Sequence, residues 1–242
     1  MYHLYRIQTR SLIILMLCAS TALSSLFAQG LTNYGNNYRD FASKAYYFGL
    51  SFGINNSNYQ IDRGRRFIGN EVIKTVESIG GPGFTVGVIT NMKVGDYFDL
   101  RVIPSFAFIE RNIRYSGSAL LTNDTTSIES SFFEIPFQIR YKSKPYKDVK
   151  LYLVGGLKYG YDISSKSRTK RLTDEIRLSP HDFSVEAGAG FQIFLPYVIF
   201  SPEIKFTQGI GNVMIYRNEL PKSNVLEKIF SRMFTISFHF EG

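Results

Sequence analysis

Apolar and polar residues alternate in eight stretches of this chain. In the first, Tyr46, Phe48, Leu50, Phe52 and Ile54 are interleaved with Tyr47, Gly49, Ser51, Gly53 and Asn55. Successive side chains of an extended chain point to opposite faces, so this period predicts a strand with one apolar face and one small, polar face. Further strands are predicted over 83–90, 97–115, 128–142, 150–162, 182–194, 198–207 and 232–240, with the first running over 46–59. The fourth is the clearest: Phe133, Ile135, Phe137, Ile139 and Tyr141 alternate with Glu134, Pro136, Gln138, Arg140 and Lys142. Proline cannot donate to a β-ladder, so Pro104, Pro136 and Pro202 predict bulges or register shifts.

The gaps between these strands alternate in length. Residues 60–82, 116–127, 163–181 and 208–231 make long gaps, whereas 91–96, 143–149 and 195–197 are short. Outer-membrane barrels have short periplasmic turns and long extracellular loops. The expected fold is therefore all-β: an eight-stranded antiparallel transmembrane β-barrel with short periplasmic turns, long extracellular loops and both termini in the periplasm. A soluble barrel shares the period but turns its apolar face inward. The charge and glycine on the polar face suit a crowded lumen better than a solvated exterior. Gly80-Gly81-Pro82-Gly83 is read as a turn, since no helix N-terminus follows to hold a phosphate.

Composition adds a destination. Residues 1–28 have the form of a signal peptide, with Arg6 and Arg10 before an apolar run and Leu26-Phe27-Ala28 before the cut. Residues 29–45 are polar and Asn-rich without a period, and read as a periplasmic arm; 46–242 form the barrel. The single cysteine, Cys18, lies in the leader, so the mature chain has no disulfide or thiolate chemistry. Tryptophan is absent, and Tyr and Phe supply every ring of the expected interfacial girdles. The net charge of +8 falls to about +6 without Arg6 and Arg10, and for an exported chain it points to anionic lipid rather than to nucleic acid.

Candidate chemistry is sparse. Glu134, Arg140, Lys158, Asp162, Glu186, Glu203 and Lys205 occupy lumen positions, where a narrow barrel forces charges to pair. They are read as a structural salt-bridge network. Two predicted outer loops are basic, with Arg63, Arg65 and Arg66 in one and Lys166, Arg168, Lys170 and Arg171 in the other. Set above a phosphate-bearing leaflet, they are candidates for contact with lipopolysaccharide or a partner. His181-Asp182 is the only dyad in sight, and two distant histidines, His181 and His239, have no metal-ligand spacing. No catalytic residue, cofactor, metal or small-molecule substrate is expected.

The half of the chain from Ser127 onward resembles the PorT family of small outer-membrane barrels of Bacteroidetes. The stretches that carry the likeness are Phe132-Phe133-Glu134-Ile135-Pro136-Phe137-Gln138-Ile139-Arg140-Tyr141-Lys142-Ser143 and Val154-Gly155-Gly156-Leu157-Lys158-Tyr159. Phe200-Ser201-Pro202-Glu203-Ile204-Lys205 and Ile236-Ser237-Phe238-His239-Phe240-Glu241-Gly242 add to it. The resemblance implies a non-enzymatic component of the type IX secretion system, needed for export of sorting-domain cargo and in contact with other subunits of that machine. The alternative is a stand-alone structural or adhesin-like barrel of OmpA/OmpX type. Most such barrels end on an aromatic residue, whereas here Glu241 and Gly242 follow Phe240.

Overall fold

A computed structural model of the protein describes residues 36–63, 75–116, 124–164, 177–215 and 226–242. The signal-peptide reading of 1–28, and the basic residues Arg65, Arg66, Lys166, Arg168, Lys170 and Arg171, lie outside the described residues. Arg63 closes a strand, and its side chain is likewise not described.

The alternating stretches become strands in the order expected. They are β1 (Tyr46–Arg63), β2 (Thr75–Val94), β3 (Phe98–Val102), β4 (Ser105–Ser116), β5 (Asp124–Lys142) and β6 (Val149–Asp162). After β7 (Arg177–Leu178) come β8 (His181–Phe194), β9 (Ile199–Gly209), β10 (Met214–Ile215) and β11 (Leu226–Glu241). Each long strand pairs antiparallel with its neighbours, and β11 returns to pair with β1 from Gly49↔Glu241 onward. The sheet is thus a closed barrel. β3 and β4 form one stave, both lying between β2 and β5. Closure leaves no unpaired edge, which is what a strand structure in hydrocarbon requires.

The wall faces outward as the alternation predicts. Phe48, Leu50, Phe52, Ile54, Phe137, Ile139, Leu151, Leu153, Phe238 and Phe240 are exposed, and the residues between them are buried inside. Tyr46, Tyr97, Tyr141, Tyr146 and Tyr197 ring the short-turn end, where an amphipathic phenol suits the boundary between hydrocarbon and water. Gly95, at φ 75°, supplies the left-handed residue of the turn between β2 and β3.

Three expectations need correction. The Gly80–Gly83 run is not a turn. It lies inside β2, where the register with β4 shifts: Gly80 pairs with Arg111 and Gly83 with Ile109, so Gly81 and Pro82 oppose Glu110 alone. This is a bulge, and the partner backbone demands two of its glycines: a Cβ on Gly81 would lie 2.4 Å from the Glu110 carbonyl oxygen, and one on Gly83 2.4 Å from that of Phe108. Pro136 and Pro202, by contrast, cause no register shift. Each keeps an unbroken register on one side (Pro136↔Lys158, Phe238↔Pro202), while the pairing toward the other neighbour skips the proline. Only Pro104 interrupts a strand, between β3 and β4. Finally, the arm is not featureless: Asn36–Ala42 forms a helix, α1.

The strands also run further than predicted. β1, β2 and β5 have 18, 20 and 19 residues, about twice the 9–11 needed to cross a bilayer. The surplus lies at the long-loop end, and there the pattern turns inside out. Asn56 and Gln60 are exposed on β1, while Tyr59 is buried, and on β11 Lys228 is exposed while Ile229 and Met233 are buried. Ala107, Ile109, Phe132 and Met233 pack together inside this upper section as an apolar cluster. The small β7–β10 sheet stands at the same end.

Candidate functional site

Lumen positions are set by strand parity, and parity gives this barrel an ionic core. Among the described residues seven cations are buried there (Arg101, Arg111, Arg140, Lys142, Lys150, Lys158 and Lys205). Seven acids match them: Asp99, Glu134, Asp162, Asp182, Glu186, Glu203 and Glu241. A buried charge is costly unless an opposite charge lies near, so the matched numbers favour folding.

The charges are arranged in tiers. Nearest the short turns, Lys142 Nζ meets Asp99 Oδ1 at 2.5 Å, and Tyr47 Oη donates to Asp99 Oδ2 at 3.1 Å. In the next tier Glu241 receives Arg101 directly and has Arg140 at 3.6 Å. Arg140 lies 3.8 Å from the centroid of the Tyr152 ring, and Tyr152 Oη donates to Glu203 Oε2 at 3.0 Å. The Tyr152 phenol reaches this position because β8 offers no side chain opposite it: a Cβ on Gly190 would stand 2.6 Å from the hydroxyl. Lys205 bridges Glu186 at 3.5 Å and Glu203 at 3.8 Å, and Gln138 donates to Glu186. Lys158 meets Glu134 at 2.7 Å. Toward the long loops Arg111 donates to Ser57 Oγ at 2.7 Å and stacks over Tyr59 and Phe132.

The structure therefore brings Glu134 together with Lys158, and Lys205 with Glu186 and Glu203. Arg140 meets Glu241 rather than one of the acids named from sequence. Glu241 is the residue that sequence reasoning missed. In sequence it follows the terminal aromatic Phe240, yet it continues the lumen series Thr235, Ser237, His239 of β11, all buried. Extending the alternation by one step would have found it.

His181 and Asp182 do not form a dyad. Adjacent strand residues face opposite ways: His181 is exposed, with Nδ1 2.7 Å from Tyr159 Oη, and Asp182 is buried in the lumen. Among the described residues no three His, Cys, Asp or Glu converge as a metal site would, and no helix is long and apolar enough to cross a membrane.

Helix α1 covers the short-turn end. Phe41 packs on Phe194 and Ile199, and Tyr38 meets the Phe194 ring edge-on at 5.1 Å. Tyr38 N donates to Asp148 Oδ1 at 3.0 Å, and Asn37 Nδ2 donates to the Phe194 carbonyl at 3.2 Å. Lys93 Nζ donates to the carbonyls of Phe41 and Ala42 at the end of the helix, at 2.5 and 3.4 Å, where backbone acceptors lack helical partners. Burial, aided by the Asp96 charge, raises the Tyr38 phenol above its ordinary value.

The family model for the outer membrane protein beta-barrel domain matches residues 27–214. The chain belongs to that family. As an outer-membrane β-barrel protein it is similar in architecture to several solved barrels. OprG of Pseudomonas aeruginosa is 10% identical over 81% of this chain and 93% of that one, with a TM-score of 0.47. Neisserial surface protein A is 13% identical over 79% and 95%, with a TM-score of 0.40. The attachment invasion locus protein Ail of Yersinia pestis is 12% identical over 82% and 100%, with a TM-score of 0.38. A search of curated proteins found no match.

Proposed function

We propose that this outer-membrane barrel is a non-enzymatic, non-conducting scaffold that acts through contacts at its two ends, as an accessory of the type IX protein secretion system needed for export of sorting-domain cargo. The observation that carries the scaffold reading is the lumen, packed among the described residues with buried acids and bases in equal number, most of them beside an opposite charge, and covered at one end by α1. A barrel of eight staves is only wide enough for its own side chains. The placement of His181 and Asp182 on opposite faces supports the non-enzymatic part. The pathway rests on the likeness of the 132–143 and 200–205 stretches to the PorT family.

In this reading the short-turn end, with both termini, faces the periplasm, and the long-loop end faces outward; the asymmetry of the connections supports it. Arg63, Arg65, Arg66, Lys166, Arg168, Lys170 and Arg171 then meet lipopolysaccharide or a secretion partner. A second reading, a stand-alone structural barrel, is favoured by the same equal numbers of buried acids and bases, which need no partner's charge to balance them.

A deletion strain separates the two. Sorting-domain cargo accumulating in the periplasm is the outcome expected of a secretion accessory. Normal export with an envelope that leaks periplasmic enzymes would leave only the stand-alone reading.

A further inference from the structure

Beneath α1 lies a cavity of about 40 Å³, lined by three lysines, Lys93, Lys142 and Lys150, with Tyr38, Tyr47 and Gln192 among its other walls. The three ammonium groups are not equally compensated. Lys142 is paired with Asp99, which also accepts from Tyr47. Lys93 spends its hydrogen bonds on neutral carbonyls of α1. Lys150 is only 5% exposed, and among the described residues it has no hydrogen bond or ion pair; its contact is the Tyr38 ring, 4.5 Å from Nζ to centroid. The one further acid on the cavity, Asp96, is exposed at the mouth beside Gly95 and Ala42. A buried ammonium that only a ring face contacts is costly. An anion arriving through the mouth would accept from Lys150 and Lys93 together.

We infer that this cavity is a binding site for a phosphoryl group, held between Lys150 and Lys93 under helix α1. The chemistry fits on two counts. A phosphoryl group offers several strong acceptor oxygens to donors that converge from different strands. Its charge also matches the two lysines that have no carboxylate of their own. Two sources carry this group, inorganic phosphate and the headgroup of a phospholipid in the adjoining leaflet, the latter reachable because the tyrosine-ringed end sits at the lipid boundary. The inference is independent of the secretion pathway, since it concerns only the short-turn end of the barrel.

The full chain, folded in detergent, is titrated with inorganic phosphate followed by phosphorus NMR. In parallel it is reconstituted with phosphatidylglycerol vesicles, re-extracted, and assayed by native mass spectrometry for retained lipid. Saturable phosphate binding, or a stoichiometric retained phospholipid, is expected in the wild type. In Lys150→Met either should weaken at least tenfold, and Lys150→Arg should restore most of it. Lys228→Met, at the opposite end, should change nothing. Heat-modifiable migration on gels reports that each variant is folded. Phosphate binding without retained lipid assigns the free ion as the source, and retained lipid lost in Lys150→Met assigns the headgroup. Neither probe binding the wild type, or binding unaffected by Lys150→Met in folded protein, would overturn the site.

Discussion

At the scale of single residues, facing decides consequence. Ile139 looks into lipid and Gln60 into water, though both are exposed side chains on long strands of one wall. An arginine at Ile139 should cost roughly 2–4 kcal/mol near mid-bilayer, read as a lower urea midpoint for unfolding from lipid vesicles. Gln60→Glu, whose carboxylate can still accept from Arg232, should leave that midpoint nearly where it is, and equal losses would mean that the apolar band lies elsewhere. Inside, the most sensitive acid is Glu241, which faces two guanidinium groups. Removing one member of a buried ion pair strands the other, at a cost of about 3–5 kcal/mol. Glu241→Gln should therefore lower the unfolding midpoint sharply, whereas Glu110→Gln, on the outer face of β4, should not. Facing was legible in the sequence because parity survives folding unchanged: every residue from Phe133 to Lys142 points where the alternation put it.

At the scale of elements, sequence and structure part company where local signals compete with a neighbour's demands. Glycine clusters ordinarily mark turns, yet the 80–83 run stays extended, with carbonyl oxygens of β4 too close to Gly81 and Gly83 for a side chain there. Gly81→Val should disrupt the β2–β4 bulge and reduce the heat-modifiable fraction on refolding; a yield like that of the wild type would show that the bulge yields easily. Helix α1 left no trace in the sequence because seven residues make barely two turns, too few to establish a 3.6 period. It exists by virtue of tertiary contacts with Phe194 and Asp148. The upper halves of the strands were hidden for a different reason. Their apolar side faces inward, so the alternation changes phase at the edge of the membrane and reads as loop.

At the scale of the whole molecule, seven buried acids and seven buried bases among the described residues crowd a lumen that eight staves make only wide enough for side chains. Purified protein in a planar bilayer should accordingly show no steady ion conductance. A stable porin-sized current would contradict a filled core.

The position of Glu241 has a consequence for how such a chain assembles. Arg101 and Arg140 stand on β3 and β5 and enter the lumen with the early strands, but their acid arrives on the last strand, the one that seals against β1. Until that seam forms, two guanidinium groups of the second tier wait without their ion-pair partner. Sealing the ring and completing this one tier are then a single event, whereas Lys158–Glu134 and Lys205–Glu186 join strands that precede the seam. The final strand is in this sense a latch, since it brings to the seam, besides its backbone hydrogen bonds, an ion pair that only closure can make.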